Sequence, residues 1–102
     1  MEYILCAAIW YKDLKLKKIF DANVLPVNCD RGIVFCGYMH AQCLYTMCSI
    51  TGLRQCEAGE EVQGFLTSHN RFVDRTEAAE IHKKNGGTVN YFGGKKLDSN
   101  DL

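Results

Sequence analysis

The segment Gly64–Ala79 constrains the fold of this chain more than any other stretch of its sequence. Its first residues complete a predicted strand over Glu61–Thr67, and the short polar side chains of Thr67–Asn70 are typical of a turn. Asp74, followed by Glu77 three residues later, resembles a capping box and predicts a helix that begins after Asp74. The segment therefore predicts a strand, a turn, a short extended piece and a capped helix in succession.

The rest of the chain supplies further regular elements. Tyr3–Tyr11 is apolar throughout and predicts a strand buried on both faces, and Gly32–Gly37 predicts a short strand bracketed by glycines. Apolar residues then recur at helical spacing and predict a helix that ends near Gly52: His40, Cys43, Leu44, Met47 and Cys48. Asn85-Gly86-Gly87 ends the helix after Asp74, and Val89–Phe92 is interpreted as a last short strand. We therefore expect one α+β domain over residues 1–102, with a small sheet packed against two helices.

Charge and length exclude some classes of protein. Lys+Arg and Asp+Glu both number 12, and this balance disfavours a protein that binds duplex DNA. The longest apolar run, Tyr3–Tyr11, is far shorter than the roughly 20 residues of a membrane-spanning helix, and it lacks the features of a secretion signal. We expect a cytoplasmic protein without membrane contact, and at 102 residues one that gains stability from homo-oligomerisation.

The six cysteines are expected to be free thiols, since most lie in apolar segments and the cytosol is reducing. A zinc site formed by Cys36, His40 and Cys43 is the alternative. No C-x-x-C pair exists to complete a tetrahedral site, so we expect neither a metal nor a cofactor.

Candidate ligand-binding residues cluster in and near Gly64–Ala79. Arginine binds phosphate bidentately, an aromatic ring can stack on a nucleobase, and short polar side chains can bind ribose. The candidates are Arg71 and Arg75 for phosphate, Phe72 and Phe65 for stacking, and Thr67, Ser68 and Asn70 for ribose, with His40 in the first turn of the other helix. A purely structural interpretation stays open, in which Arg71 pairs with Asp74 or Glu77 and Phe72 holds the helix to the core.

The basic segment Lys12–Asp30 also has two interpretations. Its lysines at positions 12, 15, 17 and 18 form either a solvated surface or a rim that faces phosphate. Catalytic motifs such as G-x-S-x-G, the phosphate-binding G-x-x-x-x-G-K-[ST] loop and H-E-x-x-H do not occur. A small nucleotide hydrolase that uses His40 or a cysteine, and a structural protein without a small ligand, remain as alternatives.

Several motifs carry a resemblance to a known family. The chain resembles small phage proteins that include the Thoeris anti-defence protein 1 group in Cys36-Gly37-x-x-His40, in the segment Gln63–Ala79, in its Ser-x-Asp-Leu ending and in Ala7-Ala8-Ile9-Trp10. The most specific part is Asn70-Arg71-Phe72-Val73-Asp74-Arg75-x-Glu77-Ala78-Ala79. The likeness spans most of the chain apart from Lys12–Leu25. This chain has Met39 where the family pattern has a second basic residue.

The resemblance implies binding without catalysis. Proteins of that group act as sponges in the cytoplasm of the infected host, where they sequester the cyclic ADP-ribose signal of bacterial TIR-domain enzymes without degrading it. The resemblance further implies dimers or hexamers and, for some members, a separate site for cyclic oligonucleotides.

Overall fold

The computed structural model describes residues 1–17 and 24–102. Lys18, one of the four lysines considered as a phosphate-facing rim, lies outside the described residues. Within them the chain forms four strands and two α-helices: β1 (Ile4–Tyr11), β2 (Ile33–Gly37), α1 (His40–Thr51), β3 (Glu61–Thr67), β4 (Phe72–Asp74) and α2 (Arg75–Lys84). Short 3₁₀ turns occupy Gln55–Glu57, Phe92–Gly94 and Ser99–Asp101.

The strands form one antiparallel sheet in the order β2-β1-β3-β4. β1 lies in the middle and pairs with β2 on one side and β3 on the other, which explains why its sequence is apolar on both faces. The prediction of an α+β domain is confirmed. β4, which the sequence indicated only as a short extended piece, is an edge strand that pairs with β3.

The main core lies between the two helices and one face of the sheet, called here the inner face. Ile9 of β1 and Phe65 of β3 meet Met47 of α1 and Ala78 of α2 in this core, and all four are fully buried. The predicted apolar face of α1 is therefore the face that packs on the sheet, because its residues recur every three or four positions.

The opposite face, called the outer face, is covered in part by residues 24–32. Phe72 and Cys29 are buried there against Ala8, and the Phe72 ring meets the Trp10 ring edge-on with centroids 5.8 Å apart. Asn28 also protects the sheet edge at β4. Its side-chain amide donates to the Phe72 carbonyl at 2.6 Å and accepts from the Phe72 N–H at 2.8 Å, as a neighbouring strand would.

Local signals located the element ends well. β3 has the predicted bounds, and Asp74 caps α2 by accepting a hydrogen bond from the Glu77 N–H at 2.8 Å. Gly52 adopts a left-handed φ of 73° at the end of α1, as a C-terminal cap requires. α2 ends at Lys84, directly before the predicted stop signal.

The predicted strand over Val89–Phe92 is wrong. Phe92 has a φ of +51° and begins a 3₁₀ turn, a conformation that no strand residue adopts. The tail is held by burial instead, since Leu97 is fully buried in the main core and its N–H donates to the Arg75 carbonyl at 2.9 Å.

Candidate functional site

The turn after β3 uses its hydroxyl groups to hold the protein together. Thr67 is fully buried, and its hydroxyl donates to the Glu2 carboxylate at 2.6 Å and accepts from the Arg71 N–H at 3.3 Å. The Ser68 hydroxyl accepts from the Tyr3 N–H at 2.9 Å. Asn70 is exposed and supplies the left-handed residue of the turn, with a φ of 56°. Two of the three predicted ribose-binding residues therefore anchor the beginning of the chain.

Arg71 lies between two carboxylates. Its guanidinium donates to both oxygens of Glu2 at 2.8 Å and to Glu77 at 2.9 Å. The pairing of Arg71 with Glu77 is one of the structural alternatives that the sequence left open. The Glu77 carboxylate therefore accepts from Arg71, whereas in a capping box it would accept from the backbone N–H of Asp74. Glu2 has no counterpart in the sequence prediction. An anionic ligand at Arg71 would have to displace or approach these acidic side chains, at a cost in like-charge repulsion.

This cluster shifts the pKa of Glu2. Hydrogen bonds from Arg71 and then from Thr67 lower the pKa of the Glu2 carboxyl from its ordinary value of 4.5 to about 2, against an opposing effect of burial. The hydrogen bonds to Glu2 and then Glu77 raise the pKa of the Arg71 guanidinium in return. Both groups are therefore charged at neutral pH, and the pair fastens residue 2 to the turn.

Acid should weaken the fold through Glu2. Its ionised form is favoured on folding, so it stabilises the protein above pH 4.5, and this contribution is lost as the pH falls from 4.5 towards 2. We expect the wild type to lose more of its free energy of unfolding than Glu2→Gln between about pH 7 and about pH 3 in urea titrations. Glu80→Gln, which removes an exposed carboxylate of α2, is the matched control and should behave as the wild type. Equal losses in both variants would contradict this role of Glu2.

The two predicted stacking residues are in the core. Phe65 is fully buried under the helices, and Phe72 is 6% exposed on the outer face. Neither ring offers a free face in this arrangement, since Phe65 meets His40 with centroids 5.0 Å apart and Phe72 meets Trp10. Phe72 was considered both for stacking on a ligand and for packing in the core, and its ring lies where packing requires it.

Arg75 and His40 form a second network. The Arg75 guanidinium donates to the Leu97 carbonyl at 2.8 Å and to the Gln63 amide oxygen at 2.7 Å, and it lies 3.6 Å from Asp98. The buried His40 ring has its Nε2 2.7 Å from the Gly64 carbonyl and its Nδ1 3.4 Å from Arg75. These partners assign the N–H to Nε2, and burial lowers the pKa of His40, so the ring is neutral at pH 7.

Seven of the eight predicted ligand residues thus separate into two networks and two core positions, and the eighth, Asn70, is the exposed left-handed residue of the turn. Thr67, Ser68 and Arg71 hold the beginning of the chain, and Arg75 with His40 holds its tail. The structure describes all eight, and none of them lines the two cavities described next.

The larger of these cavities has a volume of about 640 Å³ and opens between residues 12–16 and 24–32. Ligand pockets typically measure about 300–1,000 Å³. Its walls combine apolar side chains with a cationic rim, the apolar ones being Leu14, Leu16, Val24 and Leu25, and the cations Lys12, Lys15 and Arg31. Two carboxylates, Asp13 and Asp30, also line it, so the rim carries one more positive than negative charge. The smaller cavity, of about 300 Å³, lies beside Met1, Glu2 and Ile81.

The cations of the larger cavity differ in their pairing. Lys12 lies 3.4 Å from Glu60 and above the Trp10 ring, at 4.7 Å from its centroid. No ion pair joins Lys15 or Arg31 to a carboxylate of the described residues. Both are exposed and can approach a ligand without breaking a salt bridge to any carboxylate that the structure describes.

Arg31 was missed at the sequence level. Gly32, with a φ of 78°, passes so close to the Tyr11 carbonyl and to Lys12 that a side chain would collide with them. This approach brings Arg31 beside Lys12, and the Trp10 Nε1–H fixes it by donating to the Arg31 carbonyl at 2.7 Å. The only signal in the sequence was Gly32 itself, which indicated a strand boundary and said nothing of a cation.

The described residues hold no group of three or more His, Cys, Asp or Glu side chains arranged to bind a metal ion. Cys36, His40 and Cys43, the zinc site considered as an alternative, therefore do not form such a group. All six cysteines are free thiols. None of the helices among the described residues is long and apolar enough to cross a bilayer.

The family model of the phage T4 y16D protein matches residues 3–102, which is nearly the whole sequence. The chain belongs to this family. It is a phage protein, and the y16D match covers both the strand–turn–helix segment and the larger cavity. No curated protein and no solved structure matches it.

Proposed function

We propose that this y16D family protein is a phage anti-defence sponge. It binds a cyclic ADP-ribose-type signal of a bacterial TIR-domain enzyme in the cytoplasm of the infected host and holds it without degrading it. Three things support the proposal: the resemblance to Thoeris anti-defence protein 1, membership of a phage family, and the larger cavity. The cavity is the observation that carries it.

The chemistry of the cavity suits this ligand class. A cyclic ADP-ribose-type molecule combines a flat base with a pyrophosphate, so it needs an apolar surface beside cations. Leu14 and Leu25 offer the apolar surface, and Lys15 and Arg31 can bind phosphate oxygens. Gly64–Ala79 suits the ligand less well, because its arginines are already bound to protein groups. We therefore assign the ligand to the cavity and a supporting role to Arg71 and Arg75.

Retention and catalysis can be distinguished directly. The protein is incubated with the product of an activated TIR enzyme, separated from unbound material and denatured by heat. Recovery of the intact signal supports the sponge, whereas a degraded product favours the hydrolase alternative. A signal that stays entirely in the unbound fraction contradicts binding of this ligand.

The position of the site predicts which arginine matters. Arg31→Ala should weaken the binding of cyclic ADP-ribose roughly ten-fold or more, since a hydrogen bond to a charged group contributes about 1.5–3 kcal/mol. The fluorescence of Trp10, the one tryptophan of the chain, reports the titration because its ring lies beneath Lys12 at the cavity rim.

Two variants serve as controls for this measurement. Lys83→Ala removes an exposed cation of α2, which packs on the inner face of the sheet, and should bind as the wild type. Arg71→Ala should also keep wild-type affinity wherever it remains folded. If Arg71→Ala lost affinity while Arg31→Ala bound as the wild type, the ligand would bind at the turn after β3 and not in the cavity.

Homo-oligomerisation is part of the proposal. α1 carries no charged residue, and Tyr38, Tyr45 and Ile50 are each at least 65% exposed on or beside it. Uncharged surfaces with exposed aromatic side chains are typical of protein interfaces. Light scattering on the purified protein measures the number of subunits, and a monomer at all concentrations would contradict this part of the proposal.

A further inference from the structure

Two cysteines of the outer face lie on neighbouring strands. The register of β1 and β2 pairs Cys36 with Ala8, so Cys6 occupies the diagonal position, two residues along β1 on the same face. Cys36 is exposed and Cys6 is half-buried, so small reagents can reach the pair from solvent. The proposed function uses neither residue.

The surroundings of Cys6 favour its thiolate. The neighbouring Cys36 thiol, and after it the Gly37 N–H, lower the pKa of Cys6 to about 7, although partial burial acts in the opposite direction. Burial raises the pKa of Cys43, which lies on the inner face, to about 11, and it also raises the pKa of Cys29. Among these thiols Cys6 combines partial exposure with thiolate character, and both are needed for reactivity.

The backbone around the pair can adjust. The register of β1 and β3 is irregular between Ile4 and Cys6, and such a bulge redirects side chains and loosens the local pairing. Among the described residues β2 is an edge strand whose one strand partner is β1, so it can move towards Cys6 without breaking a strand pairing on its other side. The two sulfur atoms can therefore approach each other without loss of a strand pairing.

We propose that Cys6 and Cys36 form a redox-active thiol pair that a peroxide converts to an intramolecular disulfide. The Cys6 thiolate attacks a peroxide oxygen, the O–O bond breaks, and Cys6 becomes a sulfenic acid. The departing hydroxide takes up the proton that the Cys6 thiol had released and leaves as the first water. Cys36 then attacks the Cys6 sulfur, the S–O bond breaks, the S–S bond forms, and a second water leaves. The two thiols are oxidised by loss of two hydrogen atoms, and one hydrogen peroxide is reduced to two waters.

Peptide mapping tests this proposal on the full chain. The folded protein is treated with hydrogen peroxide, free thiols are alkylated, and the digest is analysed by mass spectrometry. We expect a peptide that links Cys6 to Cys36. In Cys36→Ser the sulfenic acid cannot be resolved, so dimedone should label Cys6 instead, whereas Cys56→Ser, which removes another exposed thiol, should still form the link.

The pH dependence of alkylation provides a second measurement that does not require the disulfide. The midpoint for Cys6 should lie near pH 7 in the wild type and move up towards roughly 8.5, the value of a free cysteine, in Cys36→Ala, which leaves no side-chain donor at position 36. The proposal is overturned if the oxidised protein lacks the Cys6–Cys36 link, or if Cys36→Ser leaves the dimedone labelling and Cys36→Ala leaves the alkylation midpoint of Cys6 unchanged.

Discussion

Replacing Phe65 with alanine is expected to lower the free energy of unfolding by about 3–5 kcal/mol, the usual cost of removing a buried phenylalanine ring. Phe65 is fully buried at the centre of β3, where its backbone neighbours are Ala7 of β1 and Val73 of β4. Its ring also packs against His40, which in turn holds the Gly64 carbonyl. The cavity left by alanine would loosen both the sheet and the beginning of α1.

Urea unfolding followed by circular dichroism measures this effect. Tyr91→Ala is the matched control, because it truncates an aromatic ring that is 47% exposed in the tail and should change the free energy of unfolding by no more than about 0.5 kcal/mol. If Phe65→Ala proved as stable as Tyr91→Ala, the Phe65 ring would not be a core residue. It would then again be available to stack on a ligand, as first predicted from the sequence.

The parts of the fold that were predictable depend on neighbours in sequence. The bounds of β3, the cap at Asp74 and the end of α1 at Gly52 all follow from side chains within a few residues of the feature. The prediction of which face of α1 packs on the sheet was also correct, because the spacing of its apolar residues matches the helical repeat. Such signals are local and survive in almost any tertiary context.

The parts that were missed depend on residues far apart in sequence. Arg71 had two plausible local partners, yet it bonds both oxygens of Glu2, 69 positions away. The tail looked like a strand from its apolar residues, but Leu97 and Arg75 hold it in another conformation. No pattern within a single segment carries information about partners of this kind.

The same distinction applies to the candidate site. Residue types alone brought arginine, phenylalanine and hydroxyl groups together in Gly64–Ala79, and there they suited a nucleotide. In the fold those groups face protein partners, while the cavity is built from Lys15 and Arg31, which are separated by 16 positions and joined by no motif. A segment rich in polar and aromatic side chains therefore indicates a structural junction as readily as a ligand site. The burial and the bonding partners of each side chain distinguish these two possibilities.

Gly64→Ala should be nearly as damaging as the loss of Phe65, at about 3 kcal/mol, the upper end of the usual cost of overpacking. A methyl group at this position would collide with the Val73 carbonyl and would lie 2.8 Å from Cζ of Phe72. The carbonyl belongs to the backbone of β4 and cannot rotate away. β3 and β4 must therefore separate, and the His40 bond to the Gly64 carbonyl must shift with them.

Gly87→Ala tests whether the backbone is the cause. Its added methyl group would also collide with a neighbour, but that neighbour is the His82 ring, a partly exposed side chain at the end of α2 that can rotate. We expect it to cost less than about 1 kcal/mol. Hydrogen exchange then locates the damage, since amides of β3 and β4 should lose protection in Gly64→Ala before those of α1 do. Equal stability of the two variants would mean that β4 moves aside freely. The close β3–β4 contact would then not be what positions Arg71 and Phe72.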